Sequence, residues 1–197
     1  MSDRTAPTEH AVLPAIAARW SPRSYLPDPV GEAQLRQVLE AGRWAASAYN
    51  EQPWTYLIAR RDADAAGHER ILSCLVEFNQ GWAKAAPVLM IACVRKNNGK
   101  GQPNRWAEYD CGQASSAMAI QAAALGLQLH QMAGFDAART RATLGLPDDV
   151  EPIAAIALGT PGPAAALPEG LAARETAPRM RKPAAEIFMG AGWGASL

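Results

Sequence analysis

Apolar residues fall three and four apart at Leu35, Val38, Leu39 and Gly42/Trp44, the spacing of one helix face. The pattern predicts an amphipathic helix ending near Ser47. "WTYLIARR", residues 54–61, is rich in aromatic and branched side chains and predicts a strand. Helical spacing returns over residues 64–84 through Ile71, Leu72, Leu75 and Phe78. "APVLMIACV" is almost unbroken in its apolarity, which suits a strand covered on both faces. "NNGKGQPN" has the composition of a turn, and residues 106–128 form an Ala-rich run that predicts a long helix of small residues, able to pack closely on a neighbour. "HQMAGFD" reads as a loop, residues 136–147 as a short helix ending at Gly145 and Pro147, and "EPIAAIALGTPG" as a buried strand with a turn. Beyond Gly162 the Pro-, Ala- and Gly-rich chain predicts an extended arm that cannot fold alone. These elements describe a layered α/β or α+β core in one domain, residues 1–197, with residues 163–197 as the arm.

Composition narrows the class. Hydrophobic residues make up 49% and charged residues 19%, with 19 Lys+Arg balancing 19 Asp+Glu. No global field draws the protein to nucleic acid or an anionic membrane, so any anion site must be local. The first twenty residues carry acidic side chains and no long apolar run, a poor secretory signal, and no stretch is long enough to span a bilayer. A soluble, cytoplasmic protein is expected. Cys74, Cys93 and Cys111 are too scattered for a finger or redox pair and predict buried reduced thiols. With His10, His68 and His130 equally dispersed, no protein-bound metal is expected.

Two patterns carry candidate chemistry. "RWSPRSY" places Arg19, Ser21 and Arg23 at alternate positions, so an extended segment turns all three to one face. Two guanidiniums and a hydroxyl can grip a phosphate, although two arginines at this spacing, taken alone, usually mark a solvated surface. "PRMRKP" adds Arg179, Arg181 and Lys182 on the arm. "SAYNEQPW", residues 47–54, packs hydrogen-bonding side chains into a short connection closed by Pro53 and Trp54. Read alone, that loop is a capping turn or a ligand loop. No P-loop or dinucleotide fingerprint competes for the anion.

Taken together, "RWSPRSY", "AASAYNEQPW", "MAGFD", "LGTPG" and the terminal "RMRKPAAEIF" with "GWG" resemble the nitroreductase family of flavin enzymes, in that family's order and over nearly the whole chain. The resemblance implies an FMN-binding α+β fold: a three-layer α-β-α sandwich with a central, mainly antiparallel sheet. It implies a homodimer that exchanges its C-terminal arms and holds flavin at the interface. Arg19, Ser21 and Arg23 would then hold the phosphate, ribityl or pyrimidine end, with Trp20 contributing mainly main chain. Ser47 and Asn50, with Gln52 beside them, match positions that reach the cofactor from the partner subunit. Ala133 and Gly134 match main-chain amides near flavin N5. Arg179 and Arg181 match the tail cations near the phosphate, and the spacing to Pro183 aligns with either. Two departures stand out: Ala133 occupies a frequently acidic position, and Ala46 replaces a frequent proline.

The implied activity is ping-pong electron transfer, from NADH or NADPH through FMN to a small electron-poor acceptor such as a nitroaromatic or a quinone. No side chain need act as acid, base or nucleophile. Phe78, Trp82 and Trp106 are candidate walls of an acceptor pocket, although aromatic residues at helical spacing are more often core. A dehalogenating, flavin-cleaving or enone-reducing branch, or a flavin carrier without turnover, are the alternatives.

Overall fold

The computed structural model describes residues 4–197. Residues 1–3, part of the stretch weighed above as a leader, lie outside the described residues. Helices α1 (Pro14–Ala18) and α2 (Glu32–Arg43) precede strand β1 (Trp54–Arg60). Helices α3 (Ala65–Ser73) and α4 (Glu77–Ala83) lead to β2 (Val88–Arg95). Then follow α5 (Ala107–Ala124), β3 (Gln128–Met132), α6 (Ala137–Leu144), β4 (Val150–Gly159), α7 (Glu169–Thr176) and α8 (Ala184–Ile187).

The four strands form one antiparallel sheet in the order β1-β2-β4-β3. Seven of the eight β2 residues are buried, because helices cover both faces of this central strand. Val88, Met90, Ala92 and Val94 face α2 and α5, packing with Leu35, Val38, Cys111 and Met118. Leu89, Ile91 and Cys93 face the other way, toward Ile71, Leu72, Leu75 and Trp82. Each large side chain buried in this way contributes roughly 1.5–3 kcal/mol. The expected three-layer α-β-α sandwich with an antiparallel sheet is therefore the observed fold. Among the described residues no helix is long and apolar enough to cross a membrane. Cys74, Cys93 and Cys111 are buried free thiols.

The structure corrects several element boundaries. The helix expected over residues 64–84 is two helices, because Leu75 forms a β-bridge with Phe135 and the Val76 amide donates to the Gly134 carbonyl at 3.1 Å. The Ala-rich helix stops before residue 128. Gly126 adopts φ 75°, and the Leu127 and Gly126 amides close onto the carbonyls of Ala122 and Ala123 at 2.9 and 3.1 Å, a glycine-terminated helix end. The chain then enters β3, the edge strand that begins the stretch expected to be a loop. The arm is not wholly extended either: α7 forms within it, and Leu167 and Leu171 pack against the second core. The short α1 has no counterpart in the sequence reading.

Residues 24–26 are fastened to the end of β4. The Gly162 amide donates to the Ser24 carbonyl at 2.8 Å, the Leu26 amide donates to the Thr160 carbonyl at 2.9 Å, and Tyr25 bridges Pro161. A Cβ on Gly162 would lie 2.7 Å from Ser24 Oγ and 3.0 Å from the Tyr25 carbonyl carbon. Gly162→Ala is therefore expected to destabilise the protein by about 1–3 kcal/mol through overpacking against main chain. A lowered thermal midpoint is the expected result, and an unchanged one would mean that residues 24–26 do not dock on β4 this closely.

Candidate functional site

The segment bearing Arg19, Ser21 and Arg23 is held by its backbone, which leaves its side chains available. Gln128 at the start of β3 accepts from the Trp20 amide at 2.9 Å and donates to the Ala18 carbonyl at 3.1 Å. One Glu175 oxygen accepts from the amides of Arg23 and Ser24 at 2.8 and 3.1 Å. His130 Nδ1 lies 2.7 Å from the Pro22 carbonyl, and a carbonyl only accepts, so Nδ1 carries the hydrogen. Arg179 donates to the carbonyls of Arg4, Ala17 and Arg19. The Trp20 amide is thus already engaged, while its ring lies under the Arg4 guanidinium at 5.3 Å.

These contacts build a cleft of about 200 Å³ lined by Arg4, Arg19, Trp20, Ser21, Arg23, Arg174, Glu175, Arg179 and Arg181. Among the described residues, six guanidiniums face a single carboxylate there. One Glu175 oxygen is committed to main-chain amides, and the other makes only a 3.9 Å ion pair with Arg23. Burial, with Arg181 nearby, lowers the Arg19 pKa. Burial and the charges of Arg19, Arg181 and Arg4 do the same to Arg179. A cleft in which cations repel one another and anions are scarce fits a phosphate dianion.

The loop at residues 47–52 is strained. Tyr49, Asn50 and Gln52 all have positive φ, at 52°, 56° and 47°, conformations that cost non-glycine residues of order 1–3 kcal/mol each unless the surroundings impose them. Here they are imposed. The Ala48 amide donates to the buried Asp110 carboxylate at 3.0 Å, the Gln52 amide to Ser47 Oγ at 3.1 Å, and the Gly99 amide to Glu51 at 2.9 Å. The Gln52 side chain donates to the Asn50 carbonyl at 2.9 Å. Ser47 and Gln52 therefore act partly as capping groups. The Asn50 carboxamide takes part in none of these bonds and stands exposed beside Tyr49.

Cleft and loop lie at opposite rims of the sheet. The cleft abuts the start of β3 and the end of β4, where Gln128 pairs with Gly159 and Leu158 with Val88. The loop leads into Trp54, which pairs with Val94 at the far end of β2, and the Arg95 amide donates to the Pro53 carbonyl at 2.9 Å. The eight-residue β2 separates the rims by roughly 25 Å. One chain brings Arg19, Trp20, Ser21, Arg23, Arg179 and Arg181 together, and does not bring Ser47, Asn50 or Gln52 to them. Ala133 and Gly134 follow the end of β3, with the Gly134 carbonyl accepting from Asn79 Nδ2 at 3.0 Å.

The candidate pocket walls divide. Trp82 is 2% exposed and belongs to the core, stacked on His130 with ring centroids 4.7 Å apart. Phe78 and Trp106 are surface residues, the latter covered by Arg105. Sequence reasoning missed Arg4, Arg174, Gln128, His130 and Glu175. Of these only Arg174, five residues before Arg179, carried a signal by type and position.

Comparison with known proteins agrees with this architecture. The Nitroreductase family profile matches residues 16–78 and 67–160. An uncharacterized 15.4 kDa protein of Mycolicibacterium smegmatis is 34% identical over 147 residues, covering 72% of this chain and 99% of the relative. A Thermus thermophilus protein named NADH dehydrogenase is 30% identical over 191 residues, covering 81% and 90% of the two chains. Among solved structures, an oxidoreductase containing FMN superposes with a TM-score of 0.91 at 32% identity over 100% of both chains. A Desulfovibrio desulfuricans structure, described as a nitroreductase in complex with FMN, gives 0.73 at 26% identity over 94% and 99%. The chain belongs to the nitroreductase family and, with it, to the oxidoreductases.

The buried His130 gives the arginine segment a pH dependence. Burial pushes its pKa down to about 4, against the opposing bond to Pro22 and with Arg23 adding to the fall. Below the unfolded value near 6.5 the unfolded chain takes up a proton that the folded one refuses, so stability is lost as pH falls from about 6.5 to about 4. Above 6.5 His130 contributes no pH dependence. The lost stability is roughly 3 kcal/mol. Thermal melts over this window are expected to fall less steeply for His130→Phe than for the unmodified protein, and equal slopes would contradict a neutral, buried His130.

Proposed function

We propose that this protein is an FMN-dependent oxidoreductase that takes electrons from NADH or NADPH and delivers them to a small electron-poor acceptor, such as a nitroaromatic or a quinone. The observation that carries the reading is the arginine cleft, where the described residues bring six guanidiniums to one largely committed carboxylate. The flavin-containing relatives support it. When bound, FMN supplies reversible two-electron chemistry at its ring, which lets donor and acceptor use one site in turn.

Each residue then has a binding task. Arg19, Ser21 and Arg23 present the cationic face that holds the phosphate end. Arg181 completes it, since among the described residues its guanidinium donates only to the Met180 carbonyl, at 2.8 Å. Arg179, bonded to three main-chain carbonyls, positions Arg19 and is not itself the phosphate ligand. Ala133 and Gly134 present main chain to the ring, so an alanine at residue 133 leaves that contact intact. With the phosphate held in the cleft, the roughly 25 Å between the rims would put residues 47–52 of the same chain out of reach of the ring. The Asn50 carboxamide therefore serves the site of a second subunit, supplying both donor and acceptor to ring atoms. A homodimer follows, and Trp44 and Tyr109, exposed at the rim that carries the loop, are consistent with one.

Arg19→Ala is expected to weaken FMN retention by about 1.5–3 kcal/mol, as for loss of a charge-assisted hydrogen bond. Asn50→Ala is expected to keep most of its FMN while flavin reduction by NADH or NADPH slows at least about tenfold. The visible spectrum and stopped-flow reduction of the purified proteins check both. Unaltered FMN affinity on loss of Arg19 removes the cleft from the site, and unaltered reduction on loss of Asn50 leaves the loop as scaffold. Sedimentation at low micromolar concentration is expected to show a flavin-loaded dimer, and a flavin-loaded monomer would contradict the shared site.

A further inference from the structure

Three buried polar side chains lie between the arginine segment and the turn at residues 133 and 134. Asn79 and Trp82 stand three apart on α4, and His130 projects from β3 onto the same side of the sheet. Each has one possible orientation. The Trp82 indole N–H can only donate, and it reaches Asn79 Oδ1 at 3.2 Å. That fixes the Asn79 amide, whose Nδ2 donates to the Gly134 carbonyl at 3.0 Å. Trp82 also packs on His130 with ring centroids 4.7 Å apart and planes tilted by 31°, and His130 Nδ1 donates to the Pro22 carbonyl at 2.7 Å. The string runs without a break from Gly134 to the middle of the arginine segment.

Its members are costly choices for a core. Asn79, Trp82 and His130 are each 9% exposed or less, and apolar residues of similar shape would fill the space without buried polar groups to satisfy. The turn is fitted to them. A Cβ on Gly134 would lie 2.4 Å from Asn79 Nδ2 and 3.1 Å from Val76 Cγ2. Both ends of the string terminate on main chain of segments to which the functional reading gives cofactor contacts.

We propose that Asn79, Trp82 and His130 form a buried brace that fixes the turn at residues 133 and 134 relative to the arginine segment. They act as cofactor-positioning residues, holding the ring-facing main chain and the phosphate-facing side chains in one register. The inference rests on the FMN reading, but it concerns different residues. Asn79 acts on the ring end, because the main chain that its side chain bonds is that of the turn. His130 acts on the phosphate end, because it holds Pro22 between Arg19 and Arg23.

The test uses the full-length protein stripped of flavin, with FMN affinity measured by flavin fluorescence and with inorganic phosphate as competitor. Asn79→Ala is expected to weaken FMN about three- to tenfold, the effect of one lost hydrogen bond, while phosphate affinity stays within about twofold. His130→Phe, which keeps an aromatic ring against Trp82, is expected to weaken FMN and phosphate alike by about three- to tenfold. Trp82→Phe, which keeps the ring and loses the indole N–H, is a milder second variant expected to follow the Asn79→Ala pattern. FMN affinity unchanged in Asn79→Ala and Trp82→Phe, in a parent that binds FMN, overturns the brace alone. FMN and phosphate weakened together in Asn79→Ala, in step with a lowered thermal midpoint, also overturns it, since that is the signature of a residue that only supports the core. A parent that binds no FMN overturns the functional reading and the brace with it.

Discussion

Repulsion among the guanidiniums of Arg4, Arg19, Arg23, Arg174, Arg179 and Arg181 is the constraint around which one end of this molecule is organised. Cations drawn from three separate segments do not gather unaided. Here they are gathered by neutral and main-chain contacts: Gln128 and His130 from β3, Glu175 from α7, and Arg179 itself turned onto the carbonyls of residues 4, 17 and 19. Among the described residues one carboxylate enters, Glu175, and it is largely engaged with amides. The fold thereby places a concentrated positive charge at the start of β3 and leaves its neutralisation to a ligand.

The opposite rim carries a different kind of stored free energy. Tyr49, Asn50 and Gln52 hold left-handed backbone because Asp110, Ser47 and Glu51 capture the surrounding amides. Strain of this kind persists where the loop's shape matters. The length of β2 separates the two rims by roughly 25 Å, which is why the proposed cofactor site is read as shared between two chains. In the proposed homodimer a twofold axis would bring each subunit's loop to the other's cleft.

Much of this was legible in the sequence, for identifiable reasons. β2 declared itself through continuous apolarity because both its faces are covered, and α2 through its single buried stripe. Arg19, Ser21 and Arg23 were visible because their own side chains point into the cleft. β3 was not visible: Gln128 and His130 are polar residues buried to bond the main chain at residues 18, 20 and 22, so they break the alternation that marks a strand. Glu175 and Asn79 were hidden for the same reason. Their partners are backbone amides and carbonyls, which every residue possesses and no residue type announces. The break between α3 and α4 is likewise tertiary, imposed by pairing of Leu75 and Val76 with the turn after β3.

Mixed dimers distinguish a site shared between two subunits from one built within a single chain. Arg19→Ala and Asn50→Ala chains carrying different tags are co-expressed, and the dimer bearing both tags is isolated. If cleft and loop come from different chains, one of its two sites gathers both substitutions and the other is intact. The account predicts that about half of the sites in this dimer retain FMN and reduce at the unmodified rate, although neither parent homodimer does so. A mixed dimer whose sites behave only as the two parents do, half losing FMN and half reducing slowly, would place cleft and loop in the same chain's site and contradict the account.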